Sequence, residues 1–196
     1  MSPTLTEPDT AGLGASAAAI ATALGRVTVE IRGANGAPIG AGVVWHSNGL
    51  ILTNAHVARR DVSVVLSDRR PRAARLVARD PGRDLAALVV DATGLPDAAI
   101  GDSRALRVGE LVLAMGNPFG LPRALSAGLV HAVERGIIQA DLRLAPGNSG
   151  GPLADAQGRV VGLNAMVVGG LAIAVPSETA WRFVREQLHG HRRPGR

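Results

Sequence analysis

The sequence predicts an all-β protein, a sandwich or barrel of short strands, with one helix before the strands and one after them. Two observations carry this. Val27, Val29 and Ile31 alternate with Thr28, Glu30 and Arg32, and a period of two is that of a strand with one buried face. Short aliphatic runs then recur along the 196 residues, separated by turn-forming residues drawn from 25 glycines and 12 prolines. Many short strands at that spacing suit a sandwich or barrel.

Residues 1–12 are small and polar, with Pro3, Pro8 and Gly12, a composition that favours disorder. Leu13 to Leu24 is alanine-rich and favours a short helix. It could pass for the apolar part of a signal peptide, but Glu7 and Asp9 precede it and no basic residue does, the reverse of the expected charge. From Arg26 the period becomes two. Gly33 to Gly36 reads as a turn, Ala41 to His46 as the next strand, and Ser47-Asn48-Gly49 as a hairpin turn into Leu50–Thr53. Val62–Leu66, Ala73–Ala78 and Leu85–Val90 supply further strands.

Gly94 to Arg107 is a connector of Gly, Pro, Asp and Ser. A second set of strands follows at Leu111–Met115, Ala124–Val133, Ile137–Gln139, Pro152–Ala154, Val160–Met166 and Leu171–Val175. Glu178–Leu188 reads as a helix with Ser177 as its N-cap. Trp181, Val184 and Leu188 share one face at helical spacing and are expected in the core. His189 to Arg196 is a basic tail.

One stretch stands apart, Ala145-Pro146-Gly147-Asn148-Ser149-Gly150-Gly151-Pro152-Leu153. Three glycines and two prolines around one serine can continue neither a helix nor a central strand. A tight turn here would hold the Ser149 hydroxyl in the open while the N–H groups of Gly147 to Ser149 converge on one point. Such a nest of donors binds an anion and, beside a nucleophilic oxygen, stabilises the oxyanion of acyl transfer. A glycine turn with an incidental serine is the plainer alternative.

Serine needs a base, and the base an orienting group. Of the five histidines, only His56 sits where an apolar strand runs out into polar residues, in Thr53-Asn54-Ala55-His56-Val57. Asp84 opens the apolar run Leu85-Ala86-Ala87-Leu88-Val89-Val90, a position suited to accepting from an imidazole N–H.

Taken together, Thr53-Asn54-Ala55-His56-Val57, Asp84-Leu85-Ala86 and Gly147-Asn148-Ser149-Gly150-Gly151-Pro152-Leu153 resemble the trypsin-like serine peptidases of the HtrA (Deg) type. The chain order His, Asp, Ser is that of the chymotrypsin-like enzymes. Gly109 to Gly120 and Ile138-Gln139-Ala140-Asp141 also look like that family. The resemblance runs from about Leu24 to Leu188 and covers the peptidase domain, without a PDZ-type domain after it.

The resemblance implies two six-stranded β-barrels, at about 26–93 and 108–176, within a peptidase domain at 13–189 whose C-terminal helix spans about 178–188. It implies Ser149 as nucleophile, His56 as general base and acid, and Asp84 as the group that fixes the imidazole tautomer. The backbone N–H groups of Gly147 and Ser149, with Asn148 between them, would form the oxyanion hole. Substrates would be unfolded or exposed polypeptide segments, as in protein quality control, and no cofactor or metal is implied. Trypsin-like zymogens carry an Asp immediately before the nucleophile, and here that residue is Asn148; activation by a newly freed N-terminus is therefore not expected. Arg143, six residues before Ser149, would lie at the base of the specificity pocket, with Leu144, Asn164, Ala165, Met166 and Ala172 among its walls. If Arg143 turns outward to Asp141, the pocket stays apolar and takes aliphatic side chains; if it turns inward, it takes acidic ones. Short segments between His131 and Ile138 and at Val167 to Gly170, with no aromatic residue near the N-terminus, leave both a monomer and a trimer open. A non-catalytic peptide-binding protein that kept the fold is the alternative function.

The remaining composition narrows the partners. All 21 basic residues are arginine and the net charge is +5. Eight arginines fall between Arg59 and Arg83, but no aromatic residues are interleaved for base stacking, and Asp61, Asp68 and Asp80 interrupt them. They read as a solvated face and not a nucleic-acid site. No run approaches the 18 apolar residues of a membrane span. With no cysteine there is neither a disulfide framework nor a thiolate metal site. His46 and His131 are expected at the surface or satisfied in the core, and His189 and His191 have no metal-site spacing. Asp141 is expected to brace the loop before Ser149. Without a signal peptide or membrane span, the default location is the cytoplasm.

Overall fold

A computed structural model describes residues 10–58, 61–117 and 123–189. Helix α1 (Thr10–Val27) leads directly into the first strand and runs longer than its alanine-rich centre required. Twelve strands follow among the described residues. β1 (Thr28–Arg32), β2 (Pro38–His46), β3 (Leu50–Thr53), β4 (Val62–Val65), β5 (Pro71–Asp80) and β6 (Leu85–Val90) close a barrel in the order β1-β2-β3-β6-β5-β4. β7 (Leu111–Gly116), β8 (Ala124–Glu134), β9 (Ile137–Asp141), β10 (Pro152–Asp155), β11 (Val160–Val168) and β12 (Leu171–Pro176) close a second, in the order β10-β11-β12-β9-β8-β7. The fold is thus the all-β double barrel that the resemblance implied, and the choice between sandwich and barrel falls to barrel. Full closure leaves no strand edge unpaired.

Burial alternates with a period of two in β4 and β9, while β2, β3, β6 and the first part of β11 are buried continuously on both faces. Val29, Ile31, Val43, Ile51, Leu52, Leu85 and Leu88 are buried in the first barrel, and Val112, Val130, Ile138, Leu153 and Val161 in the second. Register shifts at Ile31/Arg32, Val44/His46, Leu76/Ala78, Val130/Ala132 and Asn164/Met166 mark bulges of the kind that bend strands around a barrel. One of them skips Ala165, which matters for the site.

Helix α2 (Ser177–Val184), continued by a π-helical turn at Arg185–His189, closes the described chain. Two expectations are corrected here. The N-cap is Pro176, and Ser177 is the first helical residue. Its hydroxyl donates to Gly101 O (2.8 Å) and accepts from Ser103 N–H (3.3 Å), tying the helix to the inter-barrel connector instead. Trp181 is 47% exposed, while Ala180, Phe183 and Val184 are buried. A helix this short can dock only one narrow face, and that face centres on Phe183. Trp181 lies edge-on to Trp45, with ring centroids 5.5 Å apart. The Leu188 side chain lies outside the described residues.

The loop that carries Ser149 is fastened to both barrels. Ala41 N–H of β2 donates to Ser149 O (2.8 Å), and Asn117 N–H, just past β7, to Gly147 O (3.1 Å). Gly150 (φ +85°) fits where no side chain would: a Cβ there would stand 2.1 Å from Thr53 Oγ1 and 2.2 Å from Ala41 O.

Candidate active site

His56 is delivered by a single tight turn after β3. Val57 N–H and Ala58 N–H both donate to Asn54 O (3.2 and 3.0 Å). Two side chains brace this turn. Asn54, fully buried, donates its Nδ2–H to Asp84 O (3.0 Å). Arg79 of β5 places Nε and Nη2 on Ala55 O (3.1 and 3.0 Å). Asp84 sits in the left-handed region at φ +52°, immediately before β6. Short polar side chains tolerate that conformation best, and it turns the carboxylate toward His56.

His56 Nδ1 lies 2.8 Å from Asp84 Oδ2 and 3.0 Å from Oδ1, and the His56 main-chain N–H donates to Oδ1 at 3.1 Å. A proton on Nδ1 satisfies this contact and leaves Nε2 as an acceptor. The pair is part-exposed, 45% for the imidazole and 24% for the carboxylate.

The loop around Ser149 contains two consecutive turns. Asn148 N–H donates to Ala145 O (3.0 Å) with Gly147 at φ +106°, and Gly151 N–H donates to Asn148 O (3.0 Å) with Gly150 at φ +85°. Glycine at the third position with positive φ marks a type II turn, and Pro146 suits the second position of the first. The N–H groups of Gly147 and Ser149 have no protein acceptor among the described residues. The Asn148 N–H is spent inside the turn. The Asn148 side chain is buried, and its Oδ1 has no partner among the described residues.

Ser149 Oγ donates to Ala165 O at 2.8 Å. The bulge at Asn164/Met166 leaves that carbonyl outside the ladder. The nucleophile candidate is therefore held by strand β11 and not by His56.

A cleft of about 780 Å³ opens beside the loop, lined by Asp141, Arg143, Leu144, Asn148, Val167 and Gly170 among others. Of the expected wall residues, Arg143 and Leu144 are there. Asn164 is buried, donating its Nδ2–H to Pro152 O (2.9 Å) and Met115 O (3.4 Å), with its carbonyl on Gly150 N–H (2.7 Å). It holds the loop that carries Ser149 to the barrel. Ala172 is packed in the second core, Ala165 is buried, and Met166 is exposed away from the cleft lining. Among the described residues, Asp141 neither bonds to the loop backbone nor pairs with Arg143. Both are exposed at the end of β9, where an ion pair contributes little. His46 and His131 are exposed, the side chain of His189 and all of His191 lie outside the described residues, and no metal-holding group of three forms among the described residues.

Sequence reasoning missed the bracing residues Asn54, Arg79 and Asn117. Asn54 and Asn117 stand inside phrases that carried the resemblance, so a signal existed. Arg79 looked like one more arginine of a solvated face.

A double barrel with a His–Asp pair and a glycine-turn serine at its junction defines the trypsin-like peptidase class. The chain belongs to that family: the trypsin-like peptidase domain model matches residues 40–163. It is 41% identical to a protein of Ectopseudomonas mendocina (strain ymp) named probable periplasmic serine endoprotease DegP-like, over 76% of this chain and 35% of that protein. A like-named protein of Halomonas elongata is 39% identical over 72% of this chain and 33% of its own. The solved HtrA-type protease AlgW with tripeptide superposes with a TM-score of 0.78 at 32% identity, covering 87% of this chain and 64% of that one. AlgW with decapeptide gives 0.77 at 27%, covering 87% and 67%. The chain thus spans about a third of the length of the curated relatives it matches. Those relatives are named periplasmic, which overturns the cytoplasmic default; that default rested only on the lack of a recognisable signal. No described helix is long and apolar enough to cross a membrane.

Proposed function

We propose that this chain is a periplasmic serine endopeptidase domain acting on unfolded or exposed polypeptide segments through an acyl-enzyme. The observation that carries the reading is the 2.8 Å contact between His56 Nδ1 and Asp84 Oδ2, made at the barrel junction that also presents the unspent N–H groups of Gly147 and Ser149. In the productive state the Ser149 hydroxyl leaves Ala165 O for another staggered position and meets His56 Nε2. Apo sites often tighten in this way only with substrate.

Ser149 Oγ attacks the scissile carbonyl carbon while His56 Nε2 takes its proton. The developing oxyanion accepts from Gly147 and Ser149 N–H, and Asp84 stabilises the imidazolium. The C–N bond then breaks, and His56 returns the proton to the leaving amine. Water, deprotonated by the same imidazole, hydrolyses the ester and restores Ser149. Arg143 lines the cleft but is exposed to solvent, and beside it Leu144, Ala145 and Val167 offer an apolar wall that favours aliphatic side chains before the scissile bond.

One observation favours a second reading, a non-catalytic peptide-binding module: the Ser149 hydroxyl is bonded to Ala165 and not to His56. Casein turnover separates the two. The peptidase reading expects turnover by the wild type and none by Ser149→Ala at unchanged fold; equal turnover by both, or none by either, contradicts it.

A further inference from the structure

We infer that a cavity lined by Arg32, Arg69 and Arg123 binds a phosphate-bearing small molecule and that the bound anion is felt at Gly147 through Asn117. The cavity, about 360 Å³, is bounded by the outward face of β1 (Thr28, Glu30, Arg32), by Val65, Leu66 and Arg69 at the end of β4 and the turn after it, and by Asn117 and Arg123. Among the described residues it shares no lining residue with the cleft beside Ser149.

Charge is the first reason. Three arginines and one carboxylate, Glu30, line the cavity; Arg32 engages Glu30, and Arg123 donates from Nη2 to Ser67 O (3.4 Å), a neutral acceptor that leaves its charge unpaired. Among the described residues no carboxylate pairs with Arg69 or Arg123. Neighbouring arginines are treated differently: Arg72 pairs with Asp68, and Arg83 with Asp80 and Glu186. Here a net positive concavity is left open. Guanidinium forks match phosphate oxygens two at a time, and a phosphate monoester carries close to two negative charges. The volume exceeds what one phosphate fills, and Val65 and Leu66 offer an apolar wall for an organic remainder. Arg69 and Arg123 also sit at φ +62° and +60°, backbone strain of a kind that gathers at ligand clamps.

The second reason is wiring. Arg123 N–H donates to Asn117 Oδ1 (3.1 Å), Asn117 Nδ2–H to Val29 O (3.2 Å), and Asn117 N–H to Gly147 O (3.1 Å). Asn117 is buried. An anion that engages Arg123 therefore acts two hydrogen bonds from the peptide unit next to the oxyanion donor. The meaning of that last step rests on the peptidase reading; the binding does not.

The test uses the full chain, with inorganic phosphate, pyrophosphate and glycerol phosphate as probes against chloride at matched ionic strength. Calorimetry should show saturable 1:1 binding of the phosphates, weakened at least tenfold in Arg69→Gln and in Arg123→Gln, with circular dichroism unchanged. Amide spectra of the wild type, which need no variant, should show pyrophosphate-induced shifts at Arg123, Asn117 and Gly147. Absence of saturable binding, or binding that survives both substitutions, overturns the site. Shifts that stop at Arg123 overturn the coupling. A protein that binds pyrophosphate yet never turns over casein counts against the peptidase reading alone.

Discussion

Asp84 receives His56 twice, from the main-chain N–H at 3.1 Å and from Nδ1 at 2.8 Å. The first bond sets where the histidine backbone lies, and the second sets how its ring turns. One carboxylate therefore fixes both position and tautomer, and its own left-handed backbone is held by Asn54 on its carbonyl. Asp84→Asn keeps the shape but presents an amide N–H or a weaker acceptor to Nδ1. By analogy with the Asp→Asn change in a trypsin-like triad, kcat should drop by about 10⁴-fold. Peptide turnover beside a thermal melt checks it: the rate should collapse while the melt barely moves.

Gly150→Ala should fail for a different reason. The new Cβ would meet Thr53 Oγ1 and Ala41 O, both on the opposing barrel, at a φ that L side chains rarely adopt. Overpacking and backbone strain together should cost about 2–4 kcal/mol, read as a lower urea midpoint, with activity lost even where the protein stays folded. A variant as stable and active as wild type would mean that the loop is not clamped between the barrels.

At α2 the two aromatic residues should separate sharply. Phe183 is fully buried, so Phe183→Ala should cost about 3–5 kcal/mol. Trp181 is half exposed and touches Trp45 edge-on, so Trp181→Ala should cost about 1 kcal/mol or a little more. Denaturant titration of both variants gives the ranking.

Part of this was legible in the sequence and part was not. The period of two and the Gly/Pro punctuation placed the strands, because alternation is dictated by a sheet with one buried face. The turn at Pro146-Gly147 was legible because only glycine takes its positive φ cheaply. Trp181 was expected in the core and Phe183 was not singled out, because a helical stripe gives relative spacing, not which side meets the barrels. Asn164 read as a cleft wall because its neighbours are small; its burial under Pro152 and Met115 comes from cross-strand pairing that no local pattern encodes. Arg79 and Asn117 act through backbone carbonyls far along the chain, and carbonyls leave no mark in a sequence.

Acid should loosen the fold through surface carboxylates. The Arg72 guanidinium holds Asp68 well below the usual carboxylate range, Arg104 and then Glu178 do the same for Asp102, and Arg107 lowers Glu110. A carboxylate whose folded value is depressed stabilises the fold above its unfolded value, and that stability is lost as pH falls through the folded value. The urea midpoint should therefore be insensitive to these groups near neutrality and decline below about pH 4. The decline should be shallower in high salt, since Asp68 and Asp102 are exposed and Glu110 is partly so. Asp102→Asn should flatten the acid limb further. A midpoint that falls most steeply between pH 8 and 6 would assign acid sensitivity to other groups.

Reaction with a serine-directed fluorophosphonate probes the nucleophile itself, independently of any chosen substrate. Only a hydroxyl activated by a neighbouring base, beside donors for the phosphonyl oxygen, reacts at an appreciable rate. Peptide mapping of the labelled wild-type protein should place a single adduct on Ser149, with labelling suppressed in His56→Ala. An unlabelled protein, or an adduct on any other serine, would contradict the assignment of Ser149 as the nucleophile.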